Sequence, residues 1–250
     1  MESKAPKVCP IKAASSEKAK YHHEYLPEVG VGVKGKGALL CLLSPRNTGK
    51  TTICSNLFLR SPNNKSKKGG STGFYGPDFF DEIYIISPTI NLDQSARHLK
   101  ERFITFDVYH PDIIKGILKT QTELGDDAPE IAIYLDDCVG LMDKEIDMLC
   151  TRSRHYNIKL LVIASQKFRG ALSPIIRANI TDLICGSPFP NARELEAISS
   201  EFGDEFGGQD NWMRLYREAT PKKYDFAYMK LTNPPRMFHN FEEELNIKKD

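Results

Sequence analysis

The sequence predicts an α/β protein built on a mainly parallel sheet flanked by helices. Three observations predict it. Fully apolar runs recur at ALLCLLS (38–44), IAIYLDD (131–137) and KLLVIASQ (159–166). A strand with no polar face is buried on both sides, as happens where helices cover a parallel sheet. Helical patterns stand between these runs, supplying the crossovers that parallel strands need. The 250 residues, 40% hydrophobic and 27% charged, match an ordinary globular chain long enough for one large domain.

Taken in order, residues 1–36 read as a flexible basic N-terminal arm, with seven lysines against four acids and few aliphatic residues. Residues 37–240 read as the domain. Its first strand, 38–44, leads through SPRNTGKT into the helical pattern TTICSNLFLR. Residues 61–80 are a Gly/Ser/Asn/Lys-rich loop, and 81–89 a second strand. NLDQSARHLKERF reads as a helix with Asn91 or Asp93 at its N-cap. A short strand is expected at 103–107, a helix at 111–124, a turn at GDDAPE and a strand at 131–137. LMDKEIDMLCTRSRHY is helical, 159–166 a strand, 171–178 a short helix and 179–187 a strand. NARELEAISSEFG is a helix, and WMRLYREAT and KKYDFAYMKL read as terminal strands, a small C-terminal extension of the sheet. The polar tail 241–250 is expected to fray.

Composition closes off some functions. With 34 Lys and Arg against 33 Asp and Glu the net charge is +1, so any nucleic-acid contact comes from a local patch. No apolar run approaches the roughly 18 residues of a membrane span, and the first residues lack the apolar core of a secretory signal. Six scattered cysteines without a CxxC pair read as reduced, buried thiols of an intracellular protein. His22 and His23 lack partners at metal spacing.

The strongest chemical signal is Ser44-Pro45-Arg46-Asn47-Thr48-Gly49-Lys50-Thr51, set between a buried strand and a helix. Backbone N–H groups in such a loop, with the helix N-terminus behind them, cradle phosphates. Gly49 allows close backbone approach, Lys50 reaches the β- and γ-phosphates, and the Thr51 hydroxyl ligates Mg²⁺. Thr52 is the last candidate nucleotide-binding residue and starts the apolar helical face continued by Ile53, Leu57 and Phe58. Ser44 stands where the usual GxxxxGK[ST] pattern has glycine. A second signal is the apolar strand ending in Asp136 and Asp137, since ligands in open α/β sheets sit at the C-terminal ends of strands. Asp136 suits the residue that holds Mg²⁺ through water, and Asp137 the carboxylate that activates the attacking water. Gln166 closes the third apolar strand. In P-loop NTPases of the additional-strand class such a strand lies between loop strand and carboxylate strand, and its polar tip meets the γ-phosphate.

Together SPRNTGKT, IYLDDC, SRHYNIKLLVIASQ and SPIIRANITDLI resemble the FtsK–HerA superfamily over about residues 38–187. The DNA-packaging ATPases of poxviruses, other large nucleocytoplasmic DNA viruses and virophages are the most similar branch. The resemblance implies an ATP- and Mg²⁺-dependent motor that assembles as a homo-oligomeric ring and moves double-stranded DNA into a capsid, docked on capsid or vertex proteins. Its place is then the host cytoplasm, in the viral factory, or the virion. It also implies an arginine finger delivered to a neighbour's γ-phosphate, with Arg154 or Arg152 as candidates and Arg177 behind them. Between 148 and 181 there is no acid, against nine acids in 121–147. Such opposed charge suits subunit contacts or a DNA-facing surface. The basic loop Arg60–Gly70 is a candidate for contact with the phosphate backbone. Two other readings stand beside the motor: a P-loop nucleotide kinase, and a nucleotide-gated assembly protein without turnover.

Overall fold

The computed structural model describes residues 25–59, 75, 79–138, 143–189 and 192–247. Six apolar segments form a parallel sheet: β1 (Ala38–Leu43), β2 (Glu82–Ile86), β3 (Ile104–Phe106), β4 (Ile131–Asp136), β5 (Ile158–Ser165) and β6 (Asp182–Gly186). An antiparallel edge adjoins it, made of β7 (Phe226–Lys230), β8 (Arg236–His239) and β9 (Glu243–Glu244). The spatial order is β3-β2-β4-β5-β1-β6-β7-β8-β9. Thus β5 lies between the loop strand β1 and the carboxylate strand β4, with Leu43 beside Ser165 and Asp136 beside Ala164. This is the additional-strand arrangement of P-loop NTPases.

Both faces of the sheet are covered, so its strands need no polar side. Leu39, Cys41 and Leu43 of β1 enter one apolar core, while Leu40 and Leu42 enter the other. Helix α1 (Lys50–Leu59) packs into the second core through Cys54, Leu57 and Phe58. The short α2 (Arg97–Lys100) lies on the same side through Leu99. On the opposite face lie α3 (Pro111–Leu124), α4 (Lys144–Arg152), α5 (Pro174–Ala178), α6 (Ala192–Phe202) and α7 (Gln209–Ala219). Their starts carry the expected local chemistry. The Asp143 carboxylate accepts from the Glu145 and Ile146 amides to cap α4, and Ser173 caps α5 with Pro174 in its first turn.

Several elements depart from the sequence reading. WMRLYREAT, expected as a strand, is most of helix α7. It buries Trp212, Leu215, Tyr216 and Ala219, a spacing of three and four that a helix satisfies and a strand does not. The helix expected from Asn91 shrinks to a 3-10 turn and four residues, and Ala96, not Asn91 or Asp93, stands at its N-cap without a side-chain bond. Within the tail, Phe241 packs edge-on to Phe226 and Tyr228, and Leu245 is buried. Residues 25–36 of the expected arm are ordered against the domain. Leu26, Val29 and Val31 are buried there, and Gly32 donates its amide to Glu130 Oε1. The earlier arm, with Cys9 and the two histidines, and the loop 60–70 lie outside the described residues. The five described cysteines are buried, as expected, and none is paired; no described helix is long and apolar enough to cross a membrane.

Candidate active site

The end of β1 and the start of α1 shape the loop. Ser44 N–H donates to Ser165 O at 3.0 Å, which ties the loop's first residue to β5. Asn47 (φ 59°) and Gly49 (φ 92°) take the left-handed backbone that turns the chain over the helix start. Ser44 is not among the positive-φ residues, so glycine's freedom is not needed there. Its buried hydroxyl bonds instead to the Thr48 hydroxyl, and Thr48 Oγ1 also donates to Pro45 O at 2.6 Å. The room for this side chain comes from Gly186 of β6, where a Cβ would stand 2.1 Å from Ser44 Oγ.

Lys50 folds back over the loop, its ammonium donating to Ser44 O at 3.0 Å and Pro45 O at 2.9 Å. Burial lowers its pKa, and the nearby Asp137 and Asp136 partly offset this. Asp136 is pushed the other way. Burial raises its pKa and Asp137 raises it further, against a bond donated by Ser87 Oγ at 3.0 Å. Lys50 and the two carboxylates therefore share one electrostatic environment. Gln166 Nε2, from the end of β5, reaches Asp137 Oδ1 at 3.4 Å, and Asp137 itself holds a left-handed φ of 50°.

These groups line one cleft of about 1020 Å³, bounded by Arg46–Ile53, Asp136, Asp137 and Gln166. Ser44 lies beneath it, and Pro45 contributes the carbonyl that holds Lys50. The loop, the paired aspartates and the glutamine thus meet at the C-terminal ends of β1, β4 and β5, as the spacing predicts. Arg152, Arg154 and Arg177 do not join them. Arg152 and Arg154 precede β5, at the end of the sheet opposite the cleft, and Arg177 precedes β6. Arg154 lines a separate cavity of about 470 Å³ with His155, Lys159 and Glu130. Arg177 pairs with Glu201 at 3.4 Å and lies over the Phe168 ring. Lys159 is buried, donating to Val33 O at 2.6 Å and pairing with Glu130. Two bases of the acid-free stretch are therefore neutralised inside the fold.

Other residues of the cleft escaped the sequence reading. Asp93, expected as a cap, accepts from Thr51 Oγ1 at 3.0 Å. Ser87 and Thr89, at the end of β2, complete the carboxylate side. Their signal was present, since a polar pair succeeds an apolar strand. Tyr224 and Phe226 close the far wall, and nothing in their local sequence marks them.

No family model and no curated protein matches the chain by sequence. Its fold is shared with solved structures at low identity. One is the genome packaging NTPase B204 from Sulfolobus turreted icosahedral virus 2 in complex with ATP-gammaS. It has a TM-score of 0.50 and 12% identity, over 84% of this chain and 100% of that one. The B204 DNA-packaging ATPase from Sulfolobus turreted icosahedral virus is similar at a TM-score of 0.53 and 13% identity, over 82% and 98% of the two chains. The pCW3 conjugation coupling protein TcpA, in its monomer form with ATPgS, is similar at 0.50 and 13%, over 86% of this chain and 62% of that one.

Proposed function

We propose that this chain is an ATP-hydrolysing motor that translocates double-stranded DNA, packaging a viral genome into a capsid as a homo-oligomeric ring. The observation that carries the reading is the insertion of β5 between β1 and β4, which brings Gln166 to Asp137 across from Lys50. The shared fold with genome-packaging NTPases and a conjugation coupling protein supports the DNA-moving role.

The loop amides and Lys50 bind the triphosphate, Lys50 leaving the carbonyls of Ser44 and Pro45 for the β- and γ-phosphates. Among the described residues no group of three His, Cys, Asp or Glu could hold a metal alone. The cleft instead offers an alcohol and a carboxylate, the oxygen donors that suit Mg²⁺ when phosphates complete its shell. Thr51 and Asp136 would hold that ion, and it would screen the phosphate charge. Asp137 orients the attacking water and accepts its proton. Gln166 couples Asp137 to the state of the γ-phosphate. An arginine of the neighbouring subunit, Arg154 or Arg152, stabilises the charge developing on the transferred group. The end of the sheet that carries these arginines then faces the next subunit's cleft. The motor works in the host cytoplasm or the virion, seated on capsid or vertex proteins.

The test is phosphate release from ATP, with and without duplex DNA across salt concentrations, alongside the mass of the assembly in ATP. The motor predicts release stimulated several-fold by duplex and lost as salt screens the backbone contacts. Lys50→Ala is expected to reduce turnover by at least about 100-fold, the scale of losing one charge-stabilising donor. Full turnover in that variant removes the site assignment. Transfer to a nucleoside monophosphate would instead support the kinase, and binding without turnover the assembly protein.

A further inference from the structure

The wall of the cleft that Tyr224 and Phe226 form carries none of the groups assigned to the phosphates or the metal, yet it is built with some cost. Tyr224 is 57% exposed and holds φ at 75°, a conformation that a bulky L-residue avoids. Its ring stands against the phosphate loop, 3.9 Å from where a Cβ on Gly49 would lie. The turn that presents it is fixed at Asp225. The Asp225 amide donates to Lys222 O, its carboxylate accepts from the Lys222 amide, and its carbonyl accepts from Ser187 N–H. Lys223 lies 4.8 Å from the ring centroid. Phe226 and Ile53 continue the same lining, while the Asn56 amide is engaged by the Thr52 carbonyl at 2.9 Å. An aromatic ring in a strained, braced turn beside a phosphate loop, with apolar neighbours, is suited to a flat π-system.

We infer that Tyr224 is the platform on which the nucleobase of the bound nucleotide stacks, a subsite that rests on the nucleotide reading of the cleft. Binding energy at this end comes from the ring face, with Phe226 and Ile53 excluding water beside it. Removal of a stacking aromatic costs an amount equivalent to roughly tenfold in affinity or more.

The test uses the full chain and calorimetric titration with a non-hydrolysable ATP analogue and, separately, with inorganic tripolyphosphate, which has no base. Tyr224→Ala and Tyr224→Gly are expected to weaken the analogue about tenfold and to leave tripolyphosphate affinity unchanged. Tyr224→Phe is expected to bind as the unaltered chain does. Tyr224→Gly also relieves the backbone strain, so its thermal midpoint should equal or exceed that of the unaltered chain, separating lost stacking from lost folding. Unchanged analogue affinity in Tyr224→Ala overturns the platform while the nucleotide site stands. Equal loss of both ligands overturns it too, since the ring would then be supporting the phosphate loop. Failure of the unaltered chain to bind either ligand removes the nucleotide reading itself.

Discussion

Ser44 and Gly186 show how one departure from a motif is accommodated by a partner 142 positions away. Glycine at the first loop position is usual, and the serine here needs space on the adjacent strand β6. Gly186 supplies it, because any side chain there would meet Ser44 Oγ at 2.1 Å and Ser44 Cβ at 2.9 Å. Gly186→Ala is therefore expected to destabilise the fold by about 1–3 kcal/mol through overpacking and to weaken nucleotide binding by shifting the loop. Ser44→Gly in the same chain should restore most of both, a non-additive pair measurable as a double-mutant cycle in urea unfolding and titration. Additive losses would show that the two residues do not compete for one space. Cys138, the last residue of the DDC triplet, is explained by packing: its thiol is buried, bonds to Ile86 O at 3.5 Å, and is pushed by burial up to about 12. Lys50 was legible because it opens the helix after a loop of recognisable pattern, and Asp136 and Gln166 because each stands at the end of an apolar strand. Asp93 was not, because its role depends on a loop folding back 42 residues after Thr51.

Helix α7 carries the clearest lesson at the scale of elements. Read as a strand, WMRLYREAT would place Trp212, Arg214, Tyr216 and Glu218 on one face and Met213, Leu215, Arg217 and Ala219 on the other. Neither face is apolar. Read as a helix, it buries four residues on one stripe, with Trp212 stacked on Tyr216 at 5.6 Å and its indole N–H on Met229 Sδ. The aromatic content favoured a strand, but periodicity decides. Leu215→Ala is expected to cost about 2–5 kcal/mol of stability, while Arg217→Ala on the exposed face costs under about 0.5 kcal/mol. Chemical denaturation of the two variants checks this, and similar losses would contradict the helical stripe. The strands β1, β4 and β5 were legible for the opposite reason. Continuous apolar runs leave a buried strand as the simplest reading, and the caps at Asp143 and Ser173 mark where α4 and α5 begin.

On the scale of the whole molecule, the sheet changes from parallel to antiparallel where β6 meets β7, and a carboxylate is buried at the seam. Asp182 accepts from Tyr228 Oη at 2.6 Å and Thr181 Oγ1 at 2.7 Å, yet burial raises its pKa to about 6 from 3.8. The nearby Lys230 opposes this rise and Glu28 adds to it. Between those values the folded protein keeps a proton that the unfolded chain has lost, so this group's contribution falls as pH rises through the window and stays low above it. Asp182→Asn removes the titration. Relative to the unaltered chain, the variant is expected to gain on the order of 3 kcal/mol between pH 4 and pH 6. Urea midpoints across that range check it, and a constant difference between the two proteins would show that Asp182 titrates normally.

By itself the sequence determined the α/β class, the phosphate loop, the paired aspartates and the glutamine at a strand tip. These are written in contiguous segments whose local period and turn chemistry suffice to identify them. Only the tertiary structure decided that β5 separates β1 from β4, that Gly186 makes room for Ser44, and that Tyr224 faces the loop from the antiparallel edge. It also decided that residues 25–31 pack into the core. Strand order and side-chain vacancy are properties of chain segments far apart in sequence. They are set by which apolar faces bury one another and not by any segment's own pattern.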